Sequence, residues 1–372
     1  MSKPLPNDRT MASPYMQFAK LETTARYNLA ASGVMNCTFA DLDAQMSDLE
    51  LHGPNAYGYA PLVDAIATRF GVSRDSVVTD EGTSGANHLA FSALIAPGDE
   101  VLIEEPTYEL MLSAIEHLGG RPIRFQRRLE NGWALDSDAV AAAMTPRTTL
   151  VVLSDLHNPS STLADRSAVE AVGKIAARQG AVVLVDEVYR ELLFGAGPSG
   201  EVKPSSAFTL GPNFVVTASL TKAYGLSGLR CGWILAPDDL AHRMWRVRDL
   251  FQSLPPFMSE RLSADAFKRL PWYKRRADAI LSANHAVYRE RLSDHPALEQ
   301  IVPDVGTTVF ARLRRGGVDA FCERLMSKYE TGVVPGRFFE RADYIRIGLA
   351  AEPEMTRVGL ERLADALDEH GA

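Results

Sequence analysis

Cysteine is scarce in this sequence, and the cysteines that occur form no recognisable site. The chain of 372 residues has three, at Cys37, Cys231 and Cys322. They are widely spaced and form no Cys-x-x-Cys pair, so neither a disulfide framework nor a zinc site is predicted. The eight histidines show no His-Glu-x-x-His spacing, and we expect no bound metal.

Long apolar runs, basic blocks and nucleotide-binding glycine patterns are also missing. No run of about 18 apolar residues occurs, and residues 1–10 lack the apolar core of a secretion signal. The net charge is −8, and the basic residues are scattered. No P-loop occurs, and no Gly-x-Gly-x-x-Gly follows a strand, so ATP and NAD are not expected. We therefore expect a cytoplasmic protein that binds neither membrane nor nucleic acid.

Short apolar runs alternate with helix-like segments through the middle of the chain. Residues 76–95 fit a strand, a Gly-rich turn and a helix, and residues 97–119 repeat that order. Residues 147–162 and 181–194 each begin with a further strand. This alternation predicts an α/β fold, with a mostly parallel central sheet and helices on both faces.

The last third of the chain has a different pattern. Helices dominate residues 259–296, and strands follow at 306–313 and 343–350. A smaller α+β domain is therefore predicted beside the large one. The predicted division is an N-terminal segment of residues 1–44 that contributes to the small domain, a large domain of residues 45–249, and a small C-terminal domain of residues 250–372.

Polar residues collect where the predicted strands end. In doubly wound sheets, ligands bind at the carboxyl ends of the strands. One site is therefore predicted at this edge of the sheet, formed by Ser84, Gly85, Ala86, Tyr108, Asn158, Asp186, Tyr189, Ser219 and Lys222.

The stretch SLTKAYGLSGLRCGW, residues 219–233, has the most informative chemistry. It follows an apolar, β-rich run, so Lys222 should lie just beyond a buried strand. Its amine suits a Schiff base with an aldehyde cofactor, and Ser219 and Arg230 suit a phosphate on that cofactor. A solvated lysine in a Gly-rich turn is the alternative for such a motif alone.

Three further candidates suit a pyridine ring. Asp186 follows an apolar strand, and its partly desolvated carboxyl group should ionise beside a cation such as a pyridinium nitrogen. Tyr189 and Asn158 could hydrogen-bond the phenolic oxygen of the same ring. The alternatives are a helix cap for Asp186 and structural roles for the other two.

The remaining candidates suit an anion or a flat ring. The segment 84–86 begins a helix after a Gly-rich turn, where free N–H groups favour a phosphate, although an ordinary serine cap is equally consistent. Tyr108 could stack on a ring or pack in the core. Arg346 lies in an apolar strand and could grip a carboxylate or form a structural salt bridge.

Taken together, the motifs resemble those of class I/II aminotransferases, which are pyridoxal-phosphate enzymes of fold type I. The resemblance covers roughly residues 30–350. It rests on four motifs in the family's order, HNP at 157–159, VDEVY at 185–189, SLTKAYGLSGLRCGW at 219–233 and YIRIGLA at 344–350.

The resemblance implies a role for each candidate residue. Lys222 is expected to form the Schiff base with pyridoxal 5'-phosphate, and Asp186 to pair with the ring nitrogen. Tyr189 and Asn158 are expected to hold the phenolic oxygen. The other implied roles are phosphate binding for Ser84, Gly85, Ala86, Ser219 and Arg230, ring stacking for Tyr108, and binding of the substrate carboxylate for Gly33 and Arg346 with Asn158.

The implied activity is transfer of an amino group between an L-amino acid and a 2-oxo acid. The family implies a homodimer with its sites at the subunit interface. A lyase, decarboxylase or cyclase using the same cofactor stays open, as does a histidinol-phosphate-type aminotransferase. A ligand-sensing regulator with an added DNA-binding domain is disfavoured, because few residues precede the first predicted helix.

Two positions depart from the family pattern. The loop that usually reads Asn-Pro-Thr-Gly is Asn-Pro-Ser-Ser at 158–161, and the missing glycine removes a residue that adopts positive φ easily. The tyrosine that usually reaches the partner's phosphate would fall at Gly53. Tyr57, or else Tyr59, is expected to substitute for it.

Overall fold

The helices are distributed along the whole of the part that the structure covers. The computed structural model describes residue 10 and residues 12–45, 48–197 and 200–371. None of the helices in these ranges combines the length and apolarity needed to cross a membrane. They are α1 (Pro14–Leu21), α2 (Ala60–Phe70), α3 (Gly82–Leu94), α4 (Glu109–His117), α5 (Ser137–Ala143), α6 (Arg166–Ala177), α7 (Thr221–Tyr224), α8 (Asp238–Arg248), α9 (Phe257–Phe267), α10 (Leu270–Leu292), α11 (Val318–Tyr329) and α12 (Pro353–Gly371).

The strands form one large sheet, one smaller sheet and two strand pairs. They are β1 (Tyr27–Asn28), β2 (Val77–Glu81), β3 (Glu100–Glu105), β4 (Arg121–Gln126), β5 (Thr148–Ser154), β6 (Val182–Asp186), β7 (Gly195–Gly197), β8 (Gly200–Val202), β9 (Phe214–Ser219), β10 (Cys231–Leu235), β11 (Leu298–Glu299), β12 (Thr308–Leu313), β13 (Thr331–Gly332), β14 (Val334–Pro335) and β15 (Tyr344–Gly348).

The large sheet has seven strands in the order β2-β10-β9-β6-β5-β3-β4. Its strand pairs are parallel except for β10, which is antiparallel to both neighbours. Alternate residues of β5 enter separate cores, with Leu150 and Val152 in the core that holds α3 and Val151 and Leu153 in the core that holds α6. Because successive side chains of a strand point to opposite faces, helices cover both sides. The predicted α/β architecture is confirmed.

The smaller sheet is antiparallel, in the order β11-β12-β15-β14. Its core is filled by the end of α10 and by α11 and α12, with fully buried residues such as Val309, Ile345 and Leu360. The N-terminal segment joins this half of the molecule, because β1 pairs with β13. In contrast, α9 packs into the core of the large sheet through Leu262.

Strand register brings polar residues to one edge of the large sheet. Ser154 at the end of β5 pairs with Asp186 at the end of β6, which in turn pairs with Thr217 on β9. The antiparallel strand β10 starts at this edge, opposite Ser219 on one side and Glu81 on the other. The N-terminus of α3 and the loop before β10 therefore meet the carboxyl ends of the parallel strands.

Candidate active site

A cavity of about 220 Å³ opens at this edge of the large sheet. It takes residues from the ends of β5, β6 and β9, from the loops beside them and from the N-terminal segment. The predicted site residues that line it are Ser84, Tyr108, Asn158, Asp186, Tyr189, Ser219, Lys222 and Arg230.

Lys222 lies in the short helix α7, directly after β9. Its amine opens on the cavity and donates to the Ser32 hydroxyl at 3.1 Å. Burial lowers the pKa of Lys222, and the nearby cations of Arg346 and Arg230 act in the same direction. A lysine with a lowered pKa supplies more neutral amine at neutral pH, which suits it to attack an aldehyde and to accept a proton.

Asp186 is the last residue of β6, and each oxygen of its carboxyl group accepts a hydrogen bond. Oδ1 accepts from the Val188 N–H at 3.0 Å, and Oδ2 accepts from the Asn87 amide at 2.9 Å. Burial raises the pKa of Asp186 to about 6. A carboxyl group in this state ionises readily when a cation such as a protonated ring nitrogen approaches.

The N-terminus of α3 supplies the anion-binding end of the cavity. The helix begins at Gly82, and Thr83 and Ser84 in its first turn line the cavity. The Thr83 hydroxyl donates to Ser219 at 2.8 Å. The first N–H groups of a helix are free and carry a partial positive charge, which suits a phosphate.

Arg230 completes this end of the cavity. Its guanidinium donates to the carbonyl oxygen of Glu81 at 3.0 Å. A side chain at Gly82, where φ is +73°, would place its Cβ 2.5 Å from the guanidinium, so a glycine is required there. Thr221 also lines the cavity, and its hydroxyl is buried without a hydrogen-bond partner among the residues described. An unpartnered hydroxyl beside a helix N-terminus and an arginine fits the phosphate of the predicted cofactor.

Two residues of the predicted phosphate loop point elsewhere. A Cβ on Gly85 would lie 2.5 Å from the Asp80 carboxylate, and Ala86 is fully buried in the core. Neither lines the cavity, because α3 begins at Gly82 and not at Ser84. Thr83 takes their place.

Arg346 lies behind the cavity wall. It is fully buried on β15 and donates to Asn158 Oδ1 at 3.1 Å and to the Tyr15 hydroxyl at 2.9 Å. Its Nε has no partner in the described part of the chain. Gly33 lies against the aliphatic part of Lys222, since a Cβ there would be 3.3 Å from Lys222 Cδ. An arginine with spare donors next to the lysine suits a substrate carboxylate.

Tyr57 is not brought to the cavity of its own chain. It is half-exposed and lines a separate groove of about 620 Å³ together with Trp245. Its hydroxyl interacts with Arg246 and Asp249.

The loop after β5 has a positive φ at Ser161, where the family pattern has a glycine. Ser161 adopts φ +60°, and its hydroxyl lies 3.0 Å from the Thr308 hydroxyl. The opposing residue is Gly306, where a Cβ would lie 2.4 Å from Ser161 Cβ. A glycine in the loop before β12 therefore leaves the room that a serine at 161 needs.

The structure adds residues to the cavity that the motifs did not indicate. Asn87 lies one helical turn after Ser84 on α3, so helical spacing could have found it. Ser32 precedes Gly33 in the sequence. Tyr15 had no usable signal, because its partner Arg346 is 331 positions away along the chain.

Comparison with known proteins gives a consistent picture. The family model described as aminotransferase class I and II matches residues 30–367. Capreomycidine synthase of Streptomyces vinaceus is 34% identical over 368 residues, which cover 93% of this chain and 91% of that protein. Arginine–pyruvate transaminase AruH of Pseudomonas aeruginosa is 31% identical over 306 residues, 79% and 75% of the two chains. The solved structure of a PLP-dependent aminotransferase from Streptococcus suis superposes with a TM-score of 0.87 at 26% identity, covering 96% and 97%.

Proposed function

The chain belongs to the class I and II aminotransferases, enzymes that use pyridoxal 5'-phosphate, and we propose that its cavity transfers the amino group of an L-amino acid to a 2-oxo acid through Lys222. One observation carries the assignment to this cavity. A lysine amine, a buried carboxyl group and the N-terminus of a helix line the same small space, with a buried arginine directly behind its wall.

Each side chain has a distinct task in this proposal. When bound, pyridoxal phosphate would supply an aldehyde and an electron-withdrawing ring, the chemistry that makes the Cα proton of an amino acid acidic. Lys222 Nζ would take the proton from Cα as a base and deliver it, as an acid, to the cofactor carbon that accepts the amino group. Asp186 binds the ring nitrogen, and Arg346 binds the α-carboxylate with help from Asn158 and Gly33. The remaining proposed contacts are Thr83, Ser84, Ser219, Thr221 and Arg230 to the phosphate, Tyr108 to the ring face, and Tyr189 with Asn158 to the phenolic oxygen.

The visible spectrum of the loaded protein tests this function. Single amino acids are added one at a time without an acceptor, with L-arginine first because a relative is named arginine–pyruvate transaminase, and pyruvate is added afterwards to restore the band. We expect one donor to bleach the yellow band and to yield a 2-oxo acid. A protein that shows no such band after addition of pyridoxal phosphate would refute the role of Lys222.

A second reaction on the same cavity is supported by one relative. Capreomycidine synthase matches nearly the whole chain, and its name does not describe an amino-group transfer. The same spectral assay separates the two functions when the products are analysed by mass spectrometry. A product that keeps its amino group, or released ammonia or carbon dioxide, would favour a synthase, lyase or decarboxylase.

We further propose that the enzyme is a homodimer. Leu250 is 83% exposed, Phe251 55% and Leu254 54%. Gln252, in the same segment, donates to Glu81, directly before α3. A second copy packed on this segment would cover apolar surface beside the cavity. Analytical ultracentrifugation should give a dimer that Leu250→Glu dissociates, whereas Leu163→Glu, at another exposed leucine, should leave it intact. A wild-type monomer would refute the proposal.

The domain division is also a proposal. The pairing of β1 with β13 and the hydrogen bond from Met35 N to Ala350 O support assigning residues 1–44 to the small domain with residues 250–372. Residues 45–249 would form the large domain. Helix α9 then belongs to the second part of the chain, although it packs on the large sheet.

A further inference from the structure

Asn87 lies directly beside the buried carboxyl group of Asp186. It lies in the second turn of α3, is 7% exposed and faces the cavity. Its amide lies between Asp186 and Thr217. The Asn87 Nδ2 donates to Asp186 Oδ2 at 2.9 Å, and Asn87 Oδ1 accepts from the Thr217 hydroxyl at 2.5 Å.

Thr217 and Asp186 together fix which way the Asn87 amide points. It is fully buried on β9 and pairs in register with Asp186 on β6. A hydroxyl proton directed at Asn87 Oδ1 requires the NH₂ group to lie on the other side, toward Asp186. The two strands and α3 therefore hold the amide in the single orientation that donates to the carboxylate.

Several charged and titratable groups around Asp186 affect the pKa of its carboxyl group, and Asn87 is prominent among those that lower it. Lys222 on α7 favours the ionised carboxylate, and Glu104 on β3 opposes it. Two tyrosines, Tyr108 before α4 and Tyr189 after β6, also face Asp186. Among the contacts that lower the pKa of Asp186, the hydrogen bond from Asn87 is the largest, followed by the Val188 N–H.

We propose that Asn87, oriented by Thr217, is a positioning residue that keeps the Asp186 carboxylate ionised and directed at the cofactor's ring nitrogen. This inference rests on the proposed role of Asp186. Without the amide, the buried carboxyl group would hold its proton to higher pH, and Oδ2 would lose the donor that fixes its position, while Oδ1 kept the Val188 N–H. Cofactor affinity and the acidic limb of the pH profile should therefore both depend on an uncharged amide.

The variant Asn87→Leu tests this directly, because leucine has a similar volume and no donor. The dissociation constant of pyridoxal phosphate is measured by quenching of tryptophan fluorescence in the cofactor-free protein. We expect it to rise about tenfold, the value of one hydrogen bond to a charged group. The acidic midpoint of the kcat/KM profile should move to higher pH.

Thr217→Val is the graded variant. It keeps the shape of the side chain and the Asn87 amide but releases the amide's orientation, so we expect a shift in the same direction of about threefold. Asn284→Leu is the matched control. Asn284 is another buried amide, which donates to the carbonyl oxygens of Leu349 and Ala351 in the other half of the molecule. Its loss should leave the dissociation constant of pyridoxal phosphate and the acidic midpoint of the kcat/KM profile unchanged.

The variant Asp186→Ala distinguishes the proposed role of Asp186 from the proposed role of Asn87. If Asp186→Ala leaves cofactor affinity unchanged, the proposed role of Asp186 fails, and this inference fails with it. If Asp186→Ala weakens binding but Asn87→Leu and Thr217→Val leave affinity and the pH midpoint at wild-type values, only this inference is overturned. Should Asn87→Leu not fold, the pH midpoint of Thr217→Val decides.

Discussion

The two ends of the cavity are built in different ways. At the cofactor end, Asp186, Thr217 and Ser219 lie on adjacent strands whose register is set by the sheet. At the substrate end, Arg346 comes from the small sheet and Tyr15 from the N-terminal helix, and they meet through a side-chain hydrogen bond. The first arrangement follows from backbone pairing, and the second depends on how separate segments dock. We therefore expect substitutions at the two ends to change different measured quantities.

Loss of Lys222 should have the largest effect, because this residue serves both ends. Lys222→Ala removes the amine that carries the proton, and turnover should fall at least about a thousandfold. Release of 2-oxo acid measures the rate, and circular dichroism checks the fold. The control Lys174→Ala removes a lysine that is exposed on α6 and paired with Glu170, and it should keep wild-type turnover. Comparable turnover in both variants would contradict the mechanism.

Removal of Arg346 should separate the two ends most clearly. Arg346→Leu takes away two donors for a carboxylate, so KM for the amino acid should rise about a hundredfold. The dissociation constant of pyridoxal phosphate should stay within about twofold of wild type, because the sheet holds the cofactor end. Isothermal titration gives the dissociation constant of the cofactor, and steady-state kinetics give KM for the amino acid. A parallel loss of cofactor affinity would show that the ends are coupled.

The pH dependence of stability and of cofactor affinity should also report on the cofactor end. The pKa of Asp186 is raised to about 6 in the cofactor-free protein, so the folded state favours its uncharged form. This group's contribution to the free energy of unfolding is thus greatest at low pH and is lost as pH rises through about 6. Cofactor binding needs the carboxylate, so affinity should fall about tenfold per pH unit below about 6.

Thermal melting of the loaded and cofactor-free protein from about pH 5 to about pH 8 measures both trends. Glu187 contributes a slope of the same sign to the cofactor-free protein, because burial raises its pKa to about 7. Asp186→Asn isolates the contribution of Asp186, and it should remove the pH dependence of the cofactor-induced gain in Tm. A gain that still grows with pH in Asp186→Asn would assign the effect to another group.

Sequence reasoning predicted the cofactor end better than the substrate end. The alternation of strands and helices identified the edge of the sheet, and every predicted strand-end residue except Gly85 and Ala86 lines the cavity. Those two lie one residue or more beyond Ser84 on α3, and their predicted phosphate contact stays a prediction. The helix starts at Gly82, which lies against the guanidinium of Arg230, a residue distant in sequence. Local patterns carry no information about such contacts.

The substrate end was predicted only through Arg346, Asn158 and Gly33. Tyr15, which accepts a hydrogen bond from Arg346, lies on a short helix whose sequence, PYMQFAKL, has no motif. Its place is set by tertiary contacts, including edge-to-face packing on Tyr108 at 5.3 Å and a hydrogen bond from its backbone N–H to Glu109 at 3.3 Å. The sequence of α1 therefore gave no indication of the surface on which the helix docks.

Tyr15→Phe should have the smallest effect, confined to the substrate end. The change removes one hydroxyl that accepts from Arg346 Nη2, while Ala30 O still accepts from the same nitrogen at 3.1 Å. The ring keeps its packing on Tyr108, so cofactor affinity and kcat should stay near wild type. We expect KM for the amino acid to rise about fivefold, as for loss of about 1 kcal/mol of orienting hydrogen bond. A lower KM would instead mean that the hydroxyl competes with the substrate carboxylate for Arg346, and that the substrate end is held closed by the N-terminal helix rather than prepared by it.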